Sequence, residues 1–227
     1  KSALGTGGNR GSGFAISKGL LAAGYEVIIT SRSLEEAKQA ASQLGDRVMP
    51  VALDVSDDLS IEKAADALSQ DIEYLDVLVN NAGVYLDKNI DVLTVSRDAL
   101  ETAVNTNTFG VIKMVQSFLP LLEASPEARV INVSSGMGSI GGLTTTAPSY
   151  CLSKLALNGA TIMLSQSLQS KGIAVNSVGP GWVKTDMGGS SAPRTPEQGA
   201  DTVIWLAAEA SHKETGKFWR DHQEISF

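Results

Sequence analysis

Short apolar runs alternate with stretches of helical periodicity from one end of the chain to the other, and no other feature narrows the fold as far. Strand-like runs fall at Ala3–Leu4, Glu26–Thr30, Val48–Leu53, Val77–Val79, Arg129–Val133, Ala174–Val178 and Gly216–Phe218. Helical spacing fills the intervals at Phe14–Ala23, Leu34–Leu44, Ile61–Ser69, Asp98–Asn105, Gly110–Leu122, Tyr150–Ser170 and Pro196–Ala208. Runs such as Val77-Leu78-Val79-Asn80 lack the apolar–polar alternation of a half-solvated strand. They suit a parallel sheet covered by helices on both faces. The expectation is one doubly wound α/β domain spanning 1–227, with a seven-stranded, mostly parallel sheet.

The punctuation agrees. Ser33 before Leu34-Glu35-Glu36 provides an N-cap with carboxylates in the first helical turn, and Gly24 and Gly172 close helices. Two loops rich in Gly, Ser, Thr and Pro, Ser134–Ser149 and Gly179–Pro196, follow strands. Both therefore lie at the carboxyl edge of the sheet, where such folds bind ligands.

Composition removes several functional classes. The net charge is −7, from 25 acids against 18 bases, and no basic run stands out. Nucleic acid and an anionic membrane are poor partners for such a surface. No apolar stretch is long enough for a bilayer, and the glycine-rich start does not read as a signal peptide. The chain opens at the edge of a strand, so residues ahead of Lys1 are expected. The single cysteine, Cys151, excludes an internal disulfide and fits a reducing, cytoplasmic setting. It reads better as a small buried hydrophobe than as a nucleophile. His212 and His222 are too few and too dispersed for a metal site.

At the first strand–helix junction stands Thr6-Gly7-Gly8-Asn9-Arg10-Gly11-Ser12-Gly13. Gly7 permits a tight turn, Gly11 lets backbone approach a pyrophosphate, and Gly13 lets the helix pack closely on the strand. The helix start then offers its free N–H groups to phosphate oxygens. After the second strand the chain reads Thr30-Ser31-Arg32-Ser33, with no acid before Glu35. A 2′-hydroxyl calls for an acid at this point, and a 2′-phosphate for a base. Arg32 and Arg10 therefore favour NADP(H) as cofactor.

Tyr150 and Lys154 lie four residues apart in Ser149-Tyr150-Cys151-Leu152-Ser153-Lys154, which stacks them on one helix face. A phenol ordinarily titrates at about 10. A cation a few Å away favours the phenolate and makes the tyrosine usable as a general acid or base.

Taken in order, these landmarks resemble the short-chain dehydrogenase/reductase family, with a Rossmann-type fold. The resemblance covers essentially the whole chain. Thr6-Gly7-x-x-x-Gly11-x-Gly13 is similar to the family's cofactor loop, with Asn9 and Arg10 inside it, and Asp54-Val55 to the pair that contacts adenine. Asn81, Ala82 and Gly83, in Asn80-Asn81-Ala82-Gly83, resemble the motif that walls the cofactor, and Asn107 the helix asparagine. Ser135 falls in the active serine position, ahead of Tyr-x-x-x-Lys at Tyr150 and Lys154. Pro180-Gly181-Trp182-Val183-Lys184-Thr185 resembles the nicotinamide-side loop.

Within the family, Asn9-Arg10-Gly11 and Thr195-Pro196-Glu197-Gln198-Gly199-Ala200 look like the NADPH-dependent carbonyl reductases. The long insertion many of those carry before the tyrosine is absent, and the tail Phe218-Trp219-Arg220-Asp221-His222 lacks an Asp-Gly-Gly. The resemblance implies reduction of an aldehyde or ketone, with Tyr150 as proton donor, Lys154 tuning it and holding the ribose, and Ser135 on the substrate oxygen. Asn107 would hold the chain and water path behind Lys154, and Val183 and Thr185 the carboxamide. It also implies a homodimer or homotetramer through Gly110–Leu122 and Tyr150–Ser170. Val111, Met114, Val115, Phe118, Leu155, Ile162 and Met163 extend there beyond one core stripe. A 3-oxoacyl reductase, a hydroxysteroid-type alcohol dehydrogenase and a non-catalytic NADP sensor are the alternatives. A sensor has no need of all four catalytic residues.

Overall fold

The computed structural model describes residues Lys1–Phe227. The chain runs β1 (Ser2–Gly5), α1 (Gly11–Ala22), β2 (Glu26–Ser31), α2 (Leu34–Leu44), β3 (Val48–Ala52), α3 (Asp58–Asp71) and β4 (Val77–Asn80). It continues through α4 (Arg97–Val104), α5 (Gly110–Glu123), β5 (Arg129–Val133), α6 (Pro148–Leu168), β6 (Ala174–Val178), α7 (Pro196–Ala208), β7 (Phe218–Arg220) and β8 (Gln223–Ile225). The strand order is β3-β2-β1-β4-β5-β6-β7-β8. The chain winds outward from β1 to β3 and then returns to place β4 on the other side of β1. A crevice opens at that reversal, outside the carboxyl ends of β1 and β4.

Both faces of the sheet are covered, as the unalternating strands require. Leu4, Leu78 and Val130 turn to one face, where they meet Ile61, Leu68, Met114, Phe118 and Leu122 of α3 and α5. Ala3, Val77, Val79 and Ile131 turn to the other, against Ile16 and Leu20 of α1 and Val203 and Leu206 of α7. Neighbouring residues on a strand point to opposite faces, so an unbroken apolar run fills two cores at once.

Three sequence expectations change. The sheet has eight strands rather than seven, because β8 folds back antiparallel on β7. The turn between them, Asp221-His222, has positive φ at both residues (50° and 60°). Such a mirror-image turn usually advertises itself with a glycine. Here it does not, and a three-residue strand carries no readable period. The seventh strand is also displaced to Phe218–Arg220, because Gly216 adopts a left-handed φ of 72° that belongs to the approach loop. Finally, Val111, Met114, Val115 and Phe118 are core residues, so they are not available for association; Met163 is exposed and Leu155 and Ile162 are half-buried.

The helices expected at Asp98–Asn105 and Gly110–Leu122 are one continuous rod, joined by a π-helical turn at Asn105–Phe109. Gly110 lets this rod lie against the third strand's exit, since a Cβ there would sit 2.1 Å from the Val55 carbonyl oxygen. No helix is long and apolar enough to cross a membrane.

Candidate active site

The glycine loop forms a cradle that side chains would fill. Gly7 and Gly11 have φ of 62° and 53°, which favours glycine at both. A Cβ on Gly13 would lie 2.1 Å from the Gly7 carbonyl oxygen and 2.7 Å from Asn81 Nδ2. Arg10, at the N-cap of α1, makes no side-chain cap, and the first turn carries no acid. Uncapped N–H groups facing a glycine-lined hollow suit an anionic pyrophosphate, so the residues fit a dinucleotide. Gly13→Ala is accordingly expected to destabilise the protein by about 1–3 kcal/mol through forced displacement of the loop backbone. Chemical denaturation checks this; a variant as stable as the parent would refute the close-packing reading.

Thr6 ties the cradle to the end of β4. Its Oγ1 accepts hydrogen bonds from the Asn81 and Ala82 N–H groups at 3.0 and 2.9 Å. The Asn81 side-chain amide donates back to the Thr6 and Gly7 carbonyls at 3.0 and 3.3 Å. On the far wall, the Thr185 methyl would be 3.1 Å from a Cβ on Gly11, which brings the Pro180–Thr185 loop onto the glycine loop. Gly181, with φ 79°, turns that loop, and Val183 is buried beneath it.

Where the resemblance expects adenine, Asp54 Oδ1 accepts from the Ser56 N–H at 2.9 Å, which orders the loop at buried Val55. Arg32 is exposed and makes no ion pair, whereas Arg10 pairs with Asp186 at 2.9 Å. Sequence reasoning missed Glu36. Its Oε2 accepts from Ser31 Oγ at 2.8 Å and from Asn9 Nδ2 at 3.1 Å, so a carboxylate stands between the glycine loop and β2 after all. The only sequence signal was its place one helical turn after the Ser33 cap.

Ser135, Tyr150 and Lys154 converge at the carboxyl ends of β4 and β5. Lys154 is almost fully buried, and its ammonium donates to the Val133 carbonyl at 2.7 Å. It stands 5.9 Å from the centre of the Tyr150 ring. Close packing puts it there: a Cβ on Gly138 would lie 2.6 Å from Lys154 Cβ. Gly83 borders the same ammonium, 3.6 Å from its Cβ position. Asn107, wholly buried in the π turn, accepts from the Val84 N–H at 2.8 Å and donates to the Val84 carbonyl and Ser153 Oγ, each at 2.9 Å. A π turn advances a side chain relative to an α-helix, and such turns recur at functional sites. Here it lets one amide clamp both the β4 exit and α6.

Burial pushes the Tyr150 phenol up to about 12, against a smaller downward pull from its hydrogen bond with Ser135. The expected lowering by Lys154 is not the result in this arrangement. Burial also lowers Lys154, to about 8. Tyr150 nonetheless keeps part of its surface open. Tyr85, not picked out from the sequence, stacks on it with ring centres 4.5 Å apart.

A family model described as short chain dehydrogenase matches residues 1–195. The chain belongs to the short-chain dehydrogenase/reductase family. This oxidoreductase is 34% identical to the short-chain dehydrogenase anuI of Penicillium roqueforti over 97% of the chain and 94% of that protein. The carbonyl reductase Sniffer of D. melanogaster superposes with a TM-score of 0.92 at 31% identity, covering 100% of this chain and 99% of that one. The NADPH-bound carbonyl reductase from chicken fatty liver gives 0.91 at 30% identity, covering 100% and 98%. This short-chain dehydrogenase/reductase thus resembles carbonyl reductases, one of them with NADPH bound.

Proposed function

We propose that residues 1–227 act as one catalytic domain that reduces aldehyde or ketone carbonyls to alcohols with NADPH. The observation that carries this reading is the geometry: the part-exposed Tyr150 phenol stands beside Ser135, and the buried Lys154 ammonium, held by the Val133 carbonyl, lies 5.9 Å from the centre of its ring. A phenol is protonated at neutral pH and can donate that proton to a carbonyl oxygen. A bound nicotinamide supplies the hydride. Tyr150 gives its proton to the carbonyl oxygen as negative charge builds there. Ser135 donates a hydrogen bond to the same oxygen. Lys154 keeps a positive charge below the phenol and eases the phenolate left behind. Asn107 fixes the Val84 backbone and Ser153, and through them the height of α6. A panel of aldehydes and ketones, followed by loss of reduced-cofactor absorbance, tests the reading; no turnover with any carbonyl would overturn it.

Preference for NADPH rests on the unpaired Arg32 and on Arg10, together with the likeness to an NADPH-bound reductase. A charge-assisted contact to a 2′-phosphate contributes about 1.5–3 kcal/mol, or roughly 10–100-fold. Arg32→Asp is expected to lower kcat/KM for NADPH by that factor. Glu36→Gln should raise it, by removing a carboxylate from the same pocket. Equal kcat/KM for NADPH and NADH in the unmodified enzyme would defeat the assignment.

Self-association through α6 and the π turn that leads into α5 is proposed on the exposed Phe109, Leu152 and Met163. Light scattering at micromolar concentration should give at least twice the chain mass; a single-chain mass refutes it.

A further inference from the structure

Helix α6 carries Tyr150 in its first turn, yet it has no cap of its own. The residue before it, Ala147, is left-handed (φ 56°, ψ 44°) and has no polar side chain, and Pro148 has no N–H to offer. The Ser149 N–H instead donates to Asp87 Oδ2, at 2.6 Å, from the loop that follows β4. Asp87 is 2% exposed and faces no cation within ion-pair distance. Its second oxygen, Oδ1, and the Ser149 hydroxyl are both buried without a partner. A buried, unpaired carboxylate is strongly unfavourable unless something offsets it. Here the positive end of α6 does so.

The surrounding loop is strapped to the same place. The Ala147 N–H donates to the Ile90 carbonyl at 2.9 Å, and the Val92 N–H to the Thr145 carbonyl at 2.8 Å. Two residues before Asp87, the Tyr85 ring lies against the Tyr150 ring. The loop therefore grips Tyr150 twice, once by its ring and once through the backbone of the residue beside it.

We infer that Asp87 is a positioning residue for Tyr150: its carboxylate caps α6 from outside the helix and sets where the phenol stands relative to Ser135. This rests on the reading of Tyr150 as proton donor. What matters is the place of the acceptor oxygen, because the capping bond goes to one oxygen atom at one height. Asn caps helices about as well as Asp and keeps that oxygen where it is. Glu keeps the charge and moves the oxygen by a methylene.

Three substitutions read in the intact enzyme decide the matter. Asp87→Ala should lower kcat about 10–100-fold, as expected for a misplaced reacting group. The NADPH dissociation constant, followed by cofactor fluorescence, should stay within about twofold. The solvent deuterium isotope effect on kcat should rise, because proton transfer from a displaced phenol slows more than any other step. Asp87→Asn should keep kcat within about fivefold of the parent, whereas Asp87→Glu should resemble Asp87→Ala. A kcat for Asp87→Ala near the parent's overturns the inference. So does an unchanged isotope effect, or Asp87→Glu outperforming Asp87→Asn. If Asp87→Ala does not fold, the Asn and Glu variants decide alone. Tyr150→Phe with normal turnover would instead defeat the proton-donor reading, a result no Asp87 variant produces.

Discussion

Tyr150→Phe is expected to remove carbonyl reduction and leave cofactor binding intact. The ring stays, and with it the stacking on Tyr85, whose centre lies 4.5 Å away. Only the hydroxyl goes, and with it the proposed proton donor to the product oxygen. General acid catalysis contributes roughly 10²–10⁴-fold, so kcat should fall by at least that range. Titration of the variant with NADPH should reproduce the parent's dissociation constant, since the cradle of Gly7, Gly11 and Gly13 is untouched. Near-normal turnover would mean that Tyr150 is a packing residue.

Lys154→Met should trade activity for stability. The ammonium is almost fully buried and titrates at about 8 rather than near 10.5. Holding it charged in that setting costs on the order of 3 kcal/mol. Losing the charge-assisted hydrogen bond to the Val133 carbonyl takes back about 1.5–3 kcal/mol. The cofactor-free variant should therefore be at least as stable as the parent at pH 7, and more stable by up to about 1.5 kcal/mol, while kcat falls and NADPH binding weakens. The sign with pH follows from the lowered value. Between pH 8 and 10 the folded parent has shed the Lys154 proton and the unfolded chain still holds it, so parental stability rises with pH. The variant lacks that rise. Urea unfolding of both proteins at pH 7 and pH 9.5 gives the comparison; a less stable variant at pH 7, or parallel pH profiles, would contradict it.

The parts of the site that were legible in the sequence are those written in local spacing. Gly7, Gly11 and Gly13 answer to backbone geometry within a single turn, and Tyr150 and Lys154 to one helical face. The family resemblance added Ser135 and Asn107, whose partners lie elsewhere. What escaped is made by contacts between distant segments. Asp87 meets Ser149 across 62 residues and Thr6 meets Asn81 across 75, and neither pairing leaves a periodic trace. Glu36 was overlooked because side-chain reach, not strand position, brings it back to Ser31. The π turn escaped because Asn105-Thr106-Asn107-Thr108-Phe109 reads simply as a gap between two helices. Likewise, periodicity alone overstated the free surface of α5: the wide apolar arc around Val111, Met114, Val115 and Phe118 is needed for the core.

The bare N-terminus of α1 reaches beyond the chemistry. The helix begins without a side-chain cap and without an acid in its first turn, so its end is finished only when an anion sits on it. The proposed dinucleotide, held there, would act as a missing piece of the scaffold. At a hundredfold excess over its dissociation constant it adds about 2.7 kcal/mol to the folded state. Proteases attack chains that open, and opening becomes more frequent as that increment disappears. On the proposed cofactor reading, the lifetime of this protein in a cell would be coupled to the size of the dinucleotide pool, and starvation for cofactor would deplete the enzyme as well as idle it.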